Sequence, residues 1–170
     1  MLFRSLADLG VLYEVIVTAC AEYACLRATQ DELDVVHRVL IEARDLPAGP
    51  WRRRITDAQL ELAALSQSVR LTSEHVKMQT EFTPLLALQD NQIEQRHLTH
   101  DALLAQIEAT REGDIAKSRE VVRGSVRSSV RWLVGLRAEL LNASGSGELR
   151  ETLERYRGQS GAASFTGEAA

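Results

Sequence analysis

Gln95-Arg96-His97-Leu98-Thr99-His100-Asp101-Ala102-Leu103-Leu104, followed by Gly113-Asp114 and then by Ile115 through Ser129, is the stretch that decides the fold. From Ile93 to His97, His100, Leu104 and Ile107 the steps are four, three, four and three. That spacing keeps all five residues on one side of an α-helix and predicts a buried seam. Two imidazoles then stand where leucines would ordinarily sit. A core that accepts such groups must satisfy them with hydrogen bonds, a ligand or a metal. Gly113 is placed to end this helix, and Asp114 to cap the next. The next helix runs from Ile115 to about Leu141, with Ile115, Val122, Val126, Leu133 and Leu140 as its apolar stripe.

Working outward, the rest of the chain also reads as helix. Only Pro47, Pro50 and Pro84 interrupt it, and no segment alternates with the period of a strand. A first helix is expected over Leu6 to Leu26. Thr29, with Glu32 three residues on, forms a capping box for a second helix that ends near Ala43. Asp45 to Pro50 is expected to be a loop, because two prolines and a glycine do not continue a helix. A third helix starts at Trp51, carries Ile55, Ala58, Leu62 and Leu65, and breaks at Ser66-Gln67-Ser68. A fourth covers Val69 to Phe82 and stops before Pro84. The seam helix is expected from Leu86 to Glu112. Ser144-Gly145-Ser146-Gly147 reads as a linker, which gives a helical domain over 1–143 and a flexible tail over 144–170. Within the tail, Glu148 to Arg157 is expected as a short helix and Gly158 onward as disordered.

A chain of 170 residues holds one core and is too short for two ordinary domains. A net charge of -4 argues against coating nucleic acid or an anionic membrane, and 5% aromatic residues leave few stacking platforms for single strands. Cys20 and Cys25, five apart on a helix, point in different directions and are expected to stay reduced. The N-terminus lacks a signal-peptide pattern, and no apolar stretch is expected to reach membrane-spanning length. The expectation is a soluble, cytoplasmic protein with no membrane partner.

Asp57 and Glu61, four apart on the third helix, put two carboxylates on one face. With His97 and His100 they would offer two oxygens and two nitrogens, a set suited to zinc, manganese or nickel. The same residues also read as solvated charges near a helix start and as hydrogen-bonded core histidines. His37 and His75 lack partners at ligand spacing and read as surface residues. Arg119, Arg123, Arg127 and Arg131 recur every four residues along the last helix, opposite an acidic preceding helix. Antiparallel packing of those two helices would pair the charges, and one or two arginines near the interior would suit a carboxylate ligand. There is no Ser/His/Asp motif, phosphate loop or zinc-finger pattern, so an enzyme is not expected.

Three stretches in order, Arg27-Ala28-Thr29-Gln30-Asp31-Glu32-Leu33, then Asp57 in an interior helix, then His100-Asp101-Ala102-Leu103-Leu104 leading to Gly113-Asp114, make the chain similar to one family. It resembles the C-terminal effector domain of FadR-subfamily GntR-type bacterial transcriptional regulators, over about Asp8 to Leu141. The resemblance implies an antiparallel bundle of six or seven helices around a central pocket, dimerisation, and a carboxylate effector. It also implies a divalent metal held by one Asp and three His. Carried over, the aspartate falls on Asp57, the first histidine position on Glu61, the second on His100 and the last on Ser125, with His97 an extra. Three more residues separate His100 from Gly113 than the pattern has. The expected ligand-binding residues are Asp57, Glu61, Arg96, His97, His100 and Ser125, with Asp57, Glu61 and His100 as metal ligands.

The expected function is a sensing and dimerisation domain that binds a small carboxylate metabolite and acts as a homodimer. DNA would be reached only through a winged-helix domain that this chain is not expected to contain. Two other readings stay open: a stand-alone helical metal-binding protein or enzyme using the same pocket, and a structural interaction module with packed histidines.

Overall fold

The computed structural model describes residues 4–142 and Gly147, with side chains from Asp8 onward; the tail expected over 144–170 otherwise lies outside the described residues. The described chain is all α-helical. Six helices follow in order: α1 (Arg4–Arg27), α2 (Gln30–Ala43), α3 (Ala48–Ala64), α4 (Val69–Leu86), α5 (Ile93–Arg111) and α6 (Ile115–Asn142). A short 3-10 turn, Ala87–Gln89, joins α4 to α5.

Local chemistry explains most of the boundaries. At the start of α2 the Thr29 side chain accepts from the Glu32 amide while Glu32 reaches back to the Thr29 amide, a complete capping box. At the end of α5 the Asp114 amide bonds the Ala109 carbonyl and the Gly113 amide bonds Thr110. This is the Schellman closure, and it needs Gly113 at φ +70. Asp114 Oδ1 then accepts from the Lys117 amide, so one residue closes α5 and caps α6.

Three boundaries differ from expectation. α3 begins at Ala48 rather than Trp51, since Pro50 falls in its first turn, where no amide donor is needed. α4 continues through Pro84 to Leu86, close enough to its end that the lost hydrogen bond is tolerated. α5 begins only at Ile93, because the segment expected as its first turn forms the 3-10 turn instead.

Burial falls into two apolar clusters. One joins α2, α3 and α5 through Leu33, Val36, Leu40, Trp51, Ile55, Leu103 and Ile107. The other joins α1, α4 and α6 through Tyr13, Ile16, Met78, Phe82, Val126 and Leu133. α1 runs antiparallel to α6, as the pairs Glu14–Arg127 and Glu22–Arg119 require. Asp8–Arg27 is, by length and composition, apolar enough to cross a membrane, contrary to expectation. In this fold one side of it is core, with Tyr13, Ile16, Cys20, Ala21 and Ala24 buried, while Val11, Leu12, Val15, Tyr23 and Leu26 are exposed. On α6, Leu133 and Leu136 are buried.

Candidate ligand cavity

The expected seam is rotated about its helix. Ile93 and His97 are exposed, and α5 instead buries His100, Leu103, Gln106, Ile107 and Thr110. His100 is buried, and its Nε2 donates to the Leu40 carbonyl at 2.9 Å. Arg96 places its guanidinium 5.1 Å from the Trp51 ring and donates to the Leu46 carbonyl. Two α5 side chains one turn apart thus hold the end of α2 and the loop after it.

Asp57 and Glu61 are both exposed on the outer side of α3. The structure therefore does not assemble Asp57, Glu61 and His100 as metal ligands. Among the described residues no group of three or more His, Cys, Asp or Glu side chains is placed to hold a metal ion. The residues present do not fit the divalent metal that the resemblance implies.

The arginines of α6 also face a different partner. Arg119 Nε donates to Glu22 at 2.7 Å, and Arg127 donates to both oxygens of Glu14 at 2.8 and 2.7 Å. Arg123 lies 3.7 Å from Glu14. The hydrogen bonds from Arg127 hold the Glu14 carboxyl below the usual range. These charges fix α1 to α6, and the expected α5 partners pair elsewhere: Glu108 with Arg111, and Glu112 with Lys117 across the turn.

What the fold does assemble is a cavity where the two apolar clusters meet, walled by α1, α3, α4, α5 and α6. It takes in about 740 Å³ when the open solvent at its mouth is included, and its closed interior is far smaller. Of the six expected ligand residues only Ser125 lines this space. On α3 the lining residues are Arg52, Gln59, Leu62 and Ala63, and on α5 they are Thr99, Leu103 and Gln106, so the wall passes by Asp57, Glu61 and His100.

The polar side chains on the wall are mostly neutral and partly linked. Tyr13 donates to Gln79 Oε1 at 2.9 Å, and Gln79 Nε2 donates to Gln59 Oε1 at 2.7 Å. Burial raises the Tyr13 hydroxyl well above its ordinary pKa, with only partial opposition from Arg52. Burial likewise pushes the Cys20 thiol to about 11. Among the described lining residues Arg52 alone carries a fixed positive charge, and it is committed. Its Nε donates to Asp90 Oδ1 at 2.9 Å, its Nη2 reaches the same oxygen, and Nη2 also donates to the Leu86 carbonyl at 3.1 Å. Burial still raises the Asp90 carboxyl, so desolvation outweighs the neighbouring guanidinium.

His75 is the exception to this satisfaction. It is 2% exposed, lines the cavity, and neither ring nitrogen has a hydrogen-bond partner in the protein. Its ring lies 5.8 Å from that of Tyr13. Burial drops its pKa to about 4, so the ring is neutral, with one nitrogen a donor and the other an acceptor. Gln89, also on the wall, has an unpartnered buried Nε2. His75 was expected on the surface, yet Leu71, His75, Met78, Phe82 and Leu86 step by four, three, four and four. The inward phase of α4 was present in the sequence, masked by Glu74 and Lys77 beside it.

Comparison with known proteins returns no matching family model, no matching curated protein and no matching solved structure.

Proposed function

We propose that this chain is a cytoplasmic small-molecule-sensing and dimerisation domain of the kind found in FadR-type regulators, an antiparallel bundle whose central pocket is the cavity beside His75. The observation that carries the reading is the fully buried imidazole with two unpartnered nitrogens on the wall of an internal space. An unsatisfied buried polar group costs roughly 1–3 kcal/mol. A fold that keeps such groups is expected to use them on a ligand.

The path from cavity to partner runs through α1. Tyr13 lines the cavity, while Val11 and Val15 on the same helix are 66% and 61% exposed. Together with Leu12, Tyr23 and Leu26 they form an apolar face suited to a second copy of the chain. A ligand that favours one placement of α1 against α6 would shift the population of dimer geometries. A DNA-binding element outside these residues would read that geometry.

Native mass spectrometry of the purified protein tests the reading, because it reports oligomer and bound mass together. A dimer carrying a non-covalent small molecule, released by His75→Phe, is the expected result. A monomer at tens of micromolar, with no bound mass and no thermal shift across a metabolite collection, would overturn it.

A further inference from the structure

We infer that the cavity takes an uncharged ligand without a metal: a small molecule that offers an amide- or hydroxyl-type donor and acceptor to His75 and Gln89 and an apolar portion to the remaining wall. This rests on the reading of the cavity as an effector site and narrows its ligand class. It departs from the carboxylate and the divalent metal that the resemblance implies.

Charge decides against a carboxylate. A desolvated anion needs an uncommitted cation or several converging donors. Arg52 is neutralised by Asp90 and further engaged by the Leu86 carbonyl. Arg119, Arg123 and Arg127 of α6 point to Glu22 and Glu14 on the outside, and no α6 arginine lines the cavity. Tyr13 and Cys20, the other titratable groups on the wall, stay protonated and neutral. Pairing an anion with a protonated His75 would work against a pKa of about 4, a penalty of about a thousandfold at pH 7.

A metal fails on donors. The ligand-type side chains on the wall are His75 and the Cys20 thiol, which burial keeps protonated, and among the described residues no third His, Cys, Asp or Glu joins them. Two such groups fall short of the three or four protein ligands of a transition-metal site.

Neutral hydrogen bonding matches what is left open. His75 has one donor and one acceptor without partners, and Gln89 Nε2 adds a donor. Around them stand Val17, Leu62, Phe82 and Val126. The closed interior admits water-sized groups, and a small amide or alcohol of a few heavy atoms is the size of ligand it suits.

Propionamide and propionate are a matched pair of that size, differing in charge. The full chain is titrated at pH 7 with each, and with zinc chloride, following the imidazole resonances of His75 by NMR. Propionamide is expected to shift them saturably in the millimolar range, as suits so small a ligand. In the variants binding is followed instead by saturation transfer to the propionamide signals, which should vanish in His75→Phe and weaken in Gln89→Leu, each checked for folding by circular dichroism. Propionate and zinc should leave the resonances in place. Propionate binding with both ring nitrogens protonated, or zinc binding lost in His75→Phe, would overturn the uncharged, metal-free assignment and leave the effector site standing. Silence from every probe, with no mass co-purifying, would overturn both.

Discussion

His100 Nε2 donates a 2.9 Å hydrogen bond to the carbonyl of Leu40, so a side chain of α5 closes the C-terminal turn of α2. The last four carbonyls of a helix have no partner within it, and Leu40 is one of them. A polar residue on the buried face of α5 is thereby explained by the end of its neighbour. His100→Leu is expected to lose roughly 1–3 kcal/mol in urea unfolding, because the carbonyl stays buried without a donor. Binding at the cavity should persist, since His100 does not line it. Unchanged or raised stability would show that this bond contributes nothing.

Gly10 lets α1 approach α6. A Cβ at Gly10 would sit 2.8 Å from Val130 Cγ2 and 3.2 Å from Cγ1. Gly→Ala in a helix ordinarily gains about 1 kcal/mol, whereas overpacking costs about 1–3. Val130 is β-branched, so its χ1 in a helix cannot turn the methyls away cheaply. Gly10→Ala should therefore destabilise, and Gly10→Ala with Val130→Ala should recover more than the single changes predict together. Additive effects in that double-mutant cycle would show the two helices yielding freely.

The ends of the helices were more legible than their inward faces. Thr29 with Glu32, and Gly113 with Asp114, are chemically specific at fixed spacing, so they place boundaries without knowledge of neighbours. Which side of α5 is buried depends on where the helix begins and on what lies against it. Moving the start from Leu86 to Ile93 exposes Ile93 and His97 and leaves His100 to meet α2. Asp57 and Glu61 flank Gln59, one of the α3 residues on the cavity wall, a difference of about 200° around the helix either way. Spacing within one helix names a face but not its partner. His75 reads as a surface residue because it lacks partners at ligand spacing, whereas the phase it shares with Leu71, Met78 and Phe82 turns it inward.

Arg52 and Asp90 form a buried pair that ties α3 to the turn before α5. Removing one partner strands a charge in the interior, and either Arg52→Ala or Asp90→Ala is expected to cost about 3–5 kcal/mol. Replacing both, as Arg52→Met with Asp90→Leu, removes the charges together and should cost less than either single change. Chemical denaturation of the four proteins reads this directly. A double variant as unstable as the sum of the singles would mean that the hydrogen bond to Leu86, and not the charge pair, dominates.

His75 predicts how stability depends on pH. Its folded pKa of about 4 lies below the ordinary 6.5 because burial disfavours the charged ring. Between those values the unfolded chain binds more protons than the folded one, so stability rises with pH across the window. The contribution is complete above about pH 6.5, falls as pH drops, and stops changing below about 4. A difference of 2.5 units corresponds to about 3 kcal/mol over that range. Carboxyl groups such as Asp90, raised by burial, also titrate toward the acid end. The informative quantity is therefore the difference between wild type and His75→Phe. Urea unfolding at intervals from pH 7 to pH 4 should show the wild type losing about 3 kcal/mol relative to the variant. Parallel profiles would mean that the imidazole charges freely in the folded protein, and that it is not the neutral cavity group described above.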